Sequence, residues 1–117
     1  MLPFRKQIGW VETYGQSRRG HRVRYDNAMT NDEALISALY DAIQQTTPAL
    51  NDTVTGDEYY VVLWCDESGR ILDTLAVWPQ HVVLDSFAIA AAPGGQPWQA
   101  IKNIVSAQQS TPRATRP

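Results

Sequence analysis

Cysteine is almost absent from this chain of 117 residues, which contains Cys65 alone. A single cysteine cannot form a disulfide within the chain, so packing and hydrogen bonds have to hold the fold. No apolar run approaches the roughly 20 residues that cross a bilayer, and the first 30 residues lack the apolar segment of a signal peptide. From these absences we expect a cytoplasmic protein with no membrane partner.

Histidine is also scarce, and recognisable catalytic or metal-binding spacings are missing. Cys65 and His81 are the only pair that would suit a cysteine nucleophile, but Cys65 ends an apolar run, where a free cysteine usually serves as a small buried hydrophobe. The histidines, cysteine and carboxylates show no metal-ligand spacing, and the "APGGQPW" segment lacks the Lys-Ser/Thr of a phosphate loop. We therefore expect no enzyme activity, no metal and no cofactor.

Basic residues are nearly missing from the middle of the chain. Residues 1–25 carry six basic side chains against Glu12, whereas residues 26–73 carry ten carboxylates against Arg70, so a net +5 is followed by a net −9. This asymmetry favours docking onto an oppositely charged surface or head-to-tail self-association, unless folding interleaves the two segments.

Four strands in two hairpins are predicted by β-branched and aromatic runs. Residues 8–14 and 21–25 flank a loop bracketed by Gly15 and Gly20. Residues 59–65 and 70–78 flank the turn at residues 66–69, in which Gly69 supplies the positive φ.

Three helices complete the prediction. Thr30 and Glu33 form a capping-box pattern ahead of a helix over residues 31–46. Pro79 opens a second helix reaching residue 92, with a strand over residues 82–89 as the alternative, and Pro97 opens the last helix. The predicted fold is α+β: an antiparallel four-stranded sheet, in the order β-β-α-β-β-α-α, with helices packed on it. Residues 1–105 form one domain, and residues 106–117, which lack apolar anchors, form a flexible C-terminal tail.

The second hairpin is apolar on both faces. Alternation directs Tyr59, Val61, Leu63 and Cys65 to one face and Tyr60, Val62 and Trp64 to the other. The returning strand is expected to place Ile71, Leu75 and Val77 together on one face. Such a hairpin has to be covered twice, by the last helices, by a ligand or by a second copy of the chain, and a homodimer is expected.

Four arginines cluster in the first hairpin: Arg18, Arg19, Arg22 and Arg24. If even positions oppose even ones, Arg22 and Arg24 lie near Glu12, and the other register leaves them free. We expect these arginines to bind a partner, most simply an acidic protein surface. Nucleic acid is the alternative, although a sequence pI near 5.5 and the lack of a recognisable nucleic-acid-binding motif argue against it.

Asp73 is unusual because it lies among apolar residues of the second hairpin. It forms a candidate pocket or interface with Tyr60, Trp64 and Trp78, in which a small ligand with a hydrogen-bond donor would bind. The sequence therefore predicts a small, non-catalytic, dimeric interaction module that docks a protein partner through its basic hairpin loop. The alternatives are nucleic-acid binding by that loop and small-molecule binding in the aromatic pocket.

Overall fold

The computed structural model describes residues 2–18, 27–49, 51–84 and 88–110, and for residues 109 and 110 it describes the backbone. A 3-10 turn, Arg5–Gln7, precedes the first strand. The helices and strands then follow in chain order: β1 (Trp10–Ser17), β2 (Ala28–Thr30), α1 (Glu33–Gln44), β3 (Thr47–Pro48), β4 (Glu58–Cys65), β5 (Ile71–Val77), β6 (His81–Val83), β7 (Ile89–Ala91) and α2 (Gln96–Ser110).

The seven strands of the described residues belong to one antiparallel sheet, in the order β2-β1-β4-β5-β6-β7-β3. The hairpin of β4 and β5 is confirmed close to its predicted bounds. Gly69 has a φ of +93° in its turn, and Asp66 Oδ1 accepts hydrogen bonds from the backbone N–H groups of Ser68 and Arg70. The predicted strand over residues 21–25 lies outside the described residues.

The prediction of four strands and three helices is wrong, although the α+β class holds. The described residues form seven strands and two helices, because the predicted helix over residues 79–92 is replaced by β6 and β7. Val82 pairs with Val77 of β5 and is fully buried. The β-branched pair Val82 and Val83 suits a pleated sheet once β5 offers an edge, and local periodicity does not reveal that edge.

Helix α1 is confirmed, but its cap differs from the prediction. The N-cap is Asp32, whose Oδ1 accepts a hydrogen bond of 3.1 Å from the Leu35 N–H. Thr30 lies two residues earlier, and its Oγ1 accepts a hydrogen bond from the Asp32 N–H. The capping box of Thr30 with Glu33 is therefore wrong, because the chain is still extended at Thr30, the last residue of β2.

Helix α2 is longer than predicted and runs through Ser110. The expected start of the tail, Ser106, therefore lies within α2, and residues 111–117 lie outside the described part of the chain. Its buried side chains are Pro97, Ala100, Ile101, Ile104 and Val105, which recur at helical spacing on one side of the helix. No helix in the described residues is both long and apolar enough to span a bilayer.

Both helices pack on the same side of the sheet. The side chains of this covered face are buried and alternate along the strands: Val11, Thr13, Tyr60, Val62, Trp64, Leu75, Val77 and Val82. Tyr40 of α1 meets Trp64 edge-on at 5.8 Å between ring centroids, and Trp98 of α2 lies 5.0 Å from Tyr60. The result is one helical layer on one sheet, with the core between them.

The opposite side of the sheet is the open face, on which no described helix packs. It is formed by the alternate residues Trp10, Glu12, Tyr14, Gln16, Met29, Tyr59, Val61, Leu63, Cys65, Ile71, Thr74, Ala76, His81, Val83, Ile89 and Ala91. Ile71 was expected beside Leu75 on the covered face. A register shift between Trp64 and Cys65 instead places Ile71 opposite Cys65, which turns Ile71 to the open face, where it is 55% exposed.

Candidate interaction surface

The open face is apolar where a solvated sheet face is normally polar. Strand β4 contributes Tyr59, Val61, Leu63 and Cys65 to it, and none of the four carries a charged or amide side chain. An antiparallel sheet with one face in water usually alternates between apolar and polar residues. On β4 both alternating sets are apolar and the described helices cover only one of them, so an apolar strip is left at the centre of the open face, with Glu12, Gln16 and Thr74 as polar residues on the neighbouring strands.

The size of the open face suits an interface. Strands β1, β4 and β5 contain 8, 8 and 7 residues, and β2, β6 and β7 contain 3 each. With about 3.3 Å per residue and about 4.8 Å between strands, these six strands project to roughly 500 Å². A standard protein interface buries about 800 Å² of accessible surface per partner, and accessible surface exceeds the flat projection because side chains roughen it.

The two edges of the sheet are poorly suited to strand addition. The outer strand β2 is short, and its Met29 N–H donates a 2.6 Å hydrogen bond to Gln108 Oε1 of α2. The other outer strand, β3, has two residues and ends in Pro48, which has no N–H to offer. A partner is therefore better accommodated by the face of the sheet than by its edges.

Glu12 is the charged residue at the β1 side of the open face, and its neighbours on the same strand fix it in place. Trp10 Nε1 donates a 2.9 Å hydrogen bond to one carboxylate oxygen, and the Tyr14 hydroxyl donates a short one to the other. These two bonds lower the pKa of Glu12, and the carboxylate in turn raises the pKa of Tyr14. Within the described residues no cationic side chain lies within ion-pair distance of Glu12.

Arg18 lies just beyond the end of β1, at the opposite end of the open face from Trp10. Its guanidinium lies 4.2 Å from the centre of the Trp78 ring, which stacks on Tyr59 at 4.3 Å. Arg18 also donates from Nη2 to the Val54 carbonyl at 2.9 Å and from its backbone N–H to Asp57. This exposed cation is therefore held in one place by a stacked pair of rings and by the 51–57 connector.

Of the predicted arginine cluster, only Arg18 is among the described residues. Arg19, Arg22 and Arg24 lie outside the described residues. The predicted alternatives for the register of Arg22 and Arg24 therefore stay predictions. The described pairing of β1 with β2 joins odd to even positions, as in Val11 with Thr30. The basic segment 1–25 and the acidic segment 26–73 contact each other in the fold, since Arg5 forms a 2.7 Å ion pair with Glu33.

The predicted aromatic pocket does not come together. Tyr60 and Trp64 are buried on the covered face, whereas Trp78 stacks on Tyr59 of the open face. Asp73 is opposite Trp64 but half-buried, and its Oδ1 accepts from the Thr74 N–H. The side chains therefore lie on both sides of the sheet, and Asp73 occupies a rim position.

Cys65 and His81 lie at opposite ends of the sheet. Cys65 pairs with Ile71 at the start of β5, whereas His81 adjoins Trp78 just past its end. Burial raises the pKa of the Cys65 thiol, which disfavours the reactive thiolate, and His81 Nε2 lies 3.0 Å from Asp52 Oδ2. No cluster of metal-binding side chains is found in the described ranges.

The Glu12 site was missed by the sequence reasoning, which used Glu12 only as a neighbour for arginines. The signal was present in the spacing of Trp10, Glu12 and Tyr14, because residues two apart on a strand share a face. No protein-family model, curated protein or solved structure matches the chain, so no relative lends it an activity or a partner.

Proposed function

We propose that the chain is a non-catalytic interaction domain that forms a homodimer by packing the open faces of two sheets against each other. The observation that carries this proposal is the run Tyr59, Val61 and Leu63 on the open face of β4, all half-buried, at the side of the sheet that the described helices leave uncovered. A second copy offers the same apolar surface, so one contact covers both faces at once.

Sheet-on-sheet packing is the geometry that the other features support. The blocked edges disfavour a continuous sheet across two copies, and two stacked sheets lie about 10 Å apart with interdigitating side chains. Leu63 and Val61 are half-buried, and Met29 and Ile71 are 57% and 55% exposed, so apolar area remains for a second copy to bury.

The proposal is tested by placing one charge on the face. Val61→Lys is expected to keep the fold, because Val61 points away from the helices, and to weaken dimerisation by about tenfold or more, as charges at a desolvated contact do. Sedimentation equilibrium measures the dissociation constant, and circular dichroism checks the fold.

Phe4→Lys is the matched control. Among the described residues, Phe4 is the most exposed large apolar one at 71%, but it lies on the helix side next to Tyr40 and Ile43. The Phe4→Lys variant should therefore leave the dimer dissociation constant unchanged. Equal weakening by both variants would mean that no defined face is responsible, and the proposal would fall.

The second proposed contact is the basic segment 18–24, which would dock an acidic protein surface through Arg18, Arg19, Arg22 and Arg24. The supporting observation is that Arg18 is exposed and fixed by Trp78. Replacing the four arginines by serine should abolish capture of an acidic partner without unfolding the chain. If the partner is instead duplex DNA held at four phosphates, binding will fall with salt at a log-log slope near about −3.6.

A further inference from the structure

Two charged side chains lie on the open side of β1, three residues to either side of Gly15. Glu12 is fixed by Trp10 and Tyr14, and Arg18 is fixed by Trp78. They occupy opposite ends of the same strand line, one negative and one positive. Such a surface is complementary in charge to a second copy of itself that is rotated by 180° so that the strand direction is reversed.

Building on the homodimer proposed above, we propose where the two-fold axis of the dimer lies. The axis runs in the plane between the two sheets, perpendicular to the strands, and passes over Gly15 of β1. Glu12 of each copy then forms an ion pair with Arg18 of the other copy. The proposal thus names the orientation and register of the partner copy, which the apolar character of the face leaves open.

The geometry follows from strand spacing. A two-fold axis at Gly15 places each residue opposite the one equally far on the other side of Gly15, so position 12 meets position 18. Both lie about 10 Å from the axis along the strand, and the roughly 10 Å between packed sheets is a gap that one glutamate and one arginine side chain together can span.

The same axis also matches large side chains with small ones. Gly15 is in register with Tyr60 of β4 and Val77 of β5, so the axis crosses those strands there. Tyr59 then faces Val61 of the second copy, so a large half-buried side chain meets a smaller one. Alternation of large and small residues across a contact lets the two layers interdigitate without voids.

Both charged groups are held in place before the copies meet. Glu12 keeps its carboxylate between two donors, and Arg18 uses one N–H on Val54 and one ring face on Trp78, which leaves further guanidinium N–H groups to donate. Little side-chain freedom is therefore lost when the ion pair forms, which favours a net gain from the contact.

A charge-reversal cycle tests the pairing. Glu12→Arg and Arg18→Glu should each raise the dimer dissociation constant by about tenfold or more, because each variant breaks both symmetric ion pairs and juxtaposes like charges. The double variant restores opposite charges and should return to within about threefold of the native value. Asp41→Arg, on the exposed side of α1, is the control for net charge and should have no effect.

The outcomes separate this inference from the proposed function. If native dimers form and neither reversal weakens them, or if the double variant is no tighter than the single ones, the Glu12–Arg18 pairing is overturned and the face-to-face dimer stands. If the native chain stays monomeric at every concentration, the proposed function itself fails.

A second measurement avoids charge reversal altogether. Arg18→Lys keeps the charge and supplies an amine, which a zero-length carbodiimide cross-linker joins to a carboxylate that it contacts. In a mixture of ¹⁴N and ¹⁵N chains, mass spectrometry should find position 18 of one isotope joined to Glu12 of the other. Cross-linked dimers without this link would contradict the pairing.

Discussion

Val61 and Val62 are adjacent in β4, yet they occupy different environments. Val62 lies on the covered face and is fully buried under the helices, whereas Val61 lies on the open face and is half-buried. Within β4 the two faces are similarly apolar, so the hydrophobicity of this strand alone did not determine which face the helices cover. In the described residues, this strand therefore has two apolar faces, and the helices cover one of them.

The largest expected effect is at the covered face. Val62→Lys would bury an ammonium group between the sheet and the helices without a partner, a cost of several kcal/mol that approaches the whole stability of a small domain. We expect the cooperative thermal transition to disappear, as monitored by circular dichroism. Val61→Lys, one residue away, should retain it. Cooperative unfolding of Val62→Lys at the native temperature would show that the two faces are not distinguished in solution.

A smaller difference is expected when isoleucines are truncated on the two sides. Ile101 is fully buried under the sheet, and Ile71 is 55% exposed on the open face. Ile101→Ala should cost about 2–5 kcal/mol of unfolding free energy, and Ile71→Ala under about 1 kcal/mol. Urea unfolding in the Val61→Lys background measures both without a contribution from dimerisation. Equal losses would contradict the assignment of the faces.

The smallest expected effect is a pH dependence of the unfolding free energy that comes from Glu12 on the open face. The folded chain lowers the pKa of Glu12 below its ordinary value of 4.5, so this group contributes stability above that pH. The contribution is lost as the pH falls through the folded-state pKa. Glu12→Gln should therefore flatten the acid side of a plot of unfolding midpoint against pH. Tyr14→Phe removes the strongest donor and should move the Glu12 pKa back toward 4.5, and an unchanged pKa would refute this cause.

The sequence predicted the elements that depend on local signals. Helix α1 follows from apolar residues at helical spacing, and the β4–β5 hairpin follows from two β-prone runs around a turn that needs Gly69. Strands β6 and β7 were missed because they have three residues each and exist only by pairing with β5 and with each other. Whether these residues form strands therefore depends on tertiary contacts and not on the local sequence.

Only part of the candidate surface could be predicted from the sequence. The pattern of β4 predicted two apolar faces, but it did not tell which one the helices cover. The placement of Ile71 depended on an irregularity beside Cys65, and the use of Trp10 and Tyr14 as donors to Glu12 depended on ring orientation. Registers and rotamers of this kind are set by packing across strands, which a single sequence does not encode locally.

The molar mass of the native chain, measured by light scattering at two concentrations tenfold apart, tests the central claim most directly. If a second copy covers the open face, the mass at the higher concentration will approach twice the 13.1 kDa of one chain and will fall on dilution or in the Val61→Lys variant. A mass of 13.1 kDa at both concentrations, with the fold intact, would show that the open face stays in water and would contradict the account.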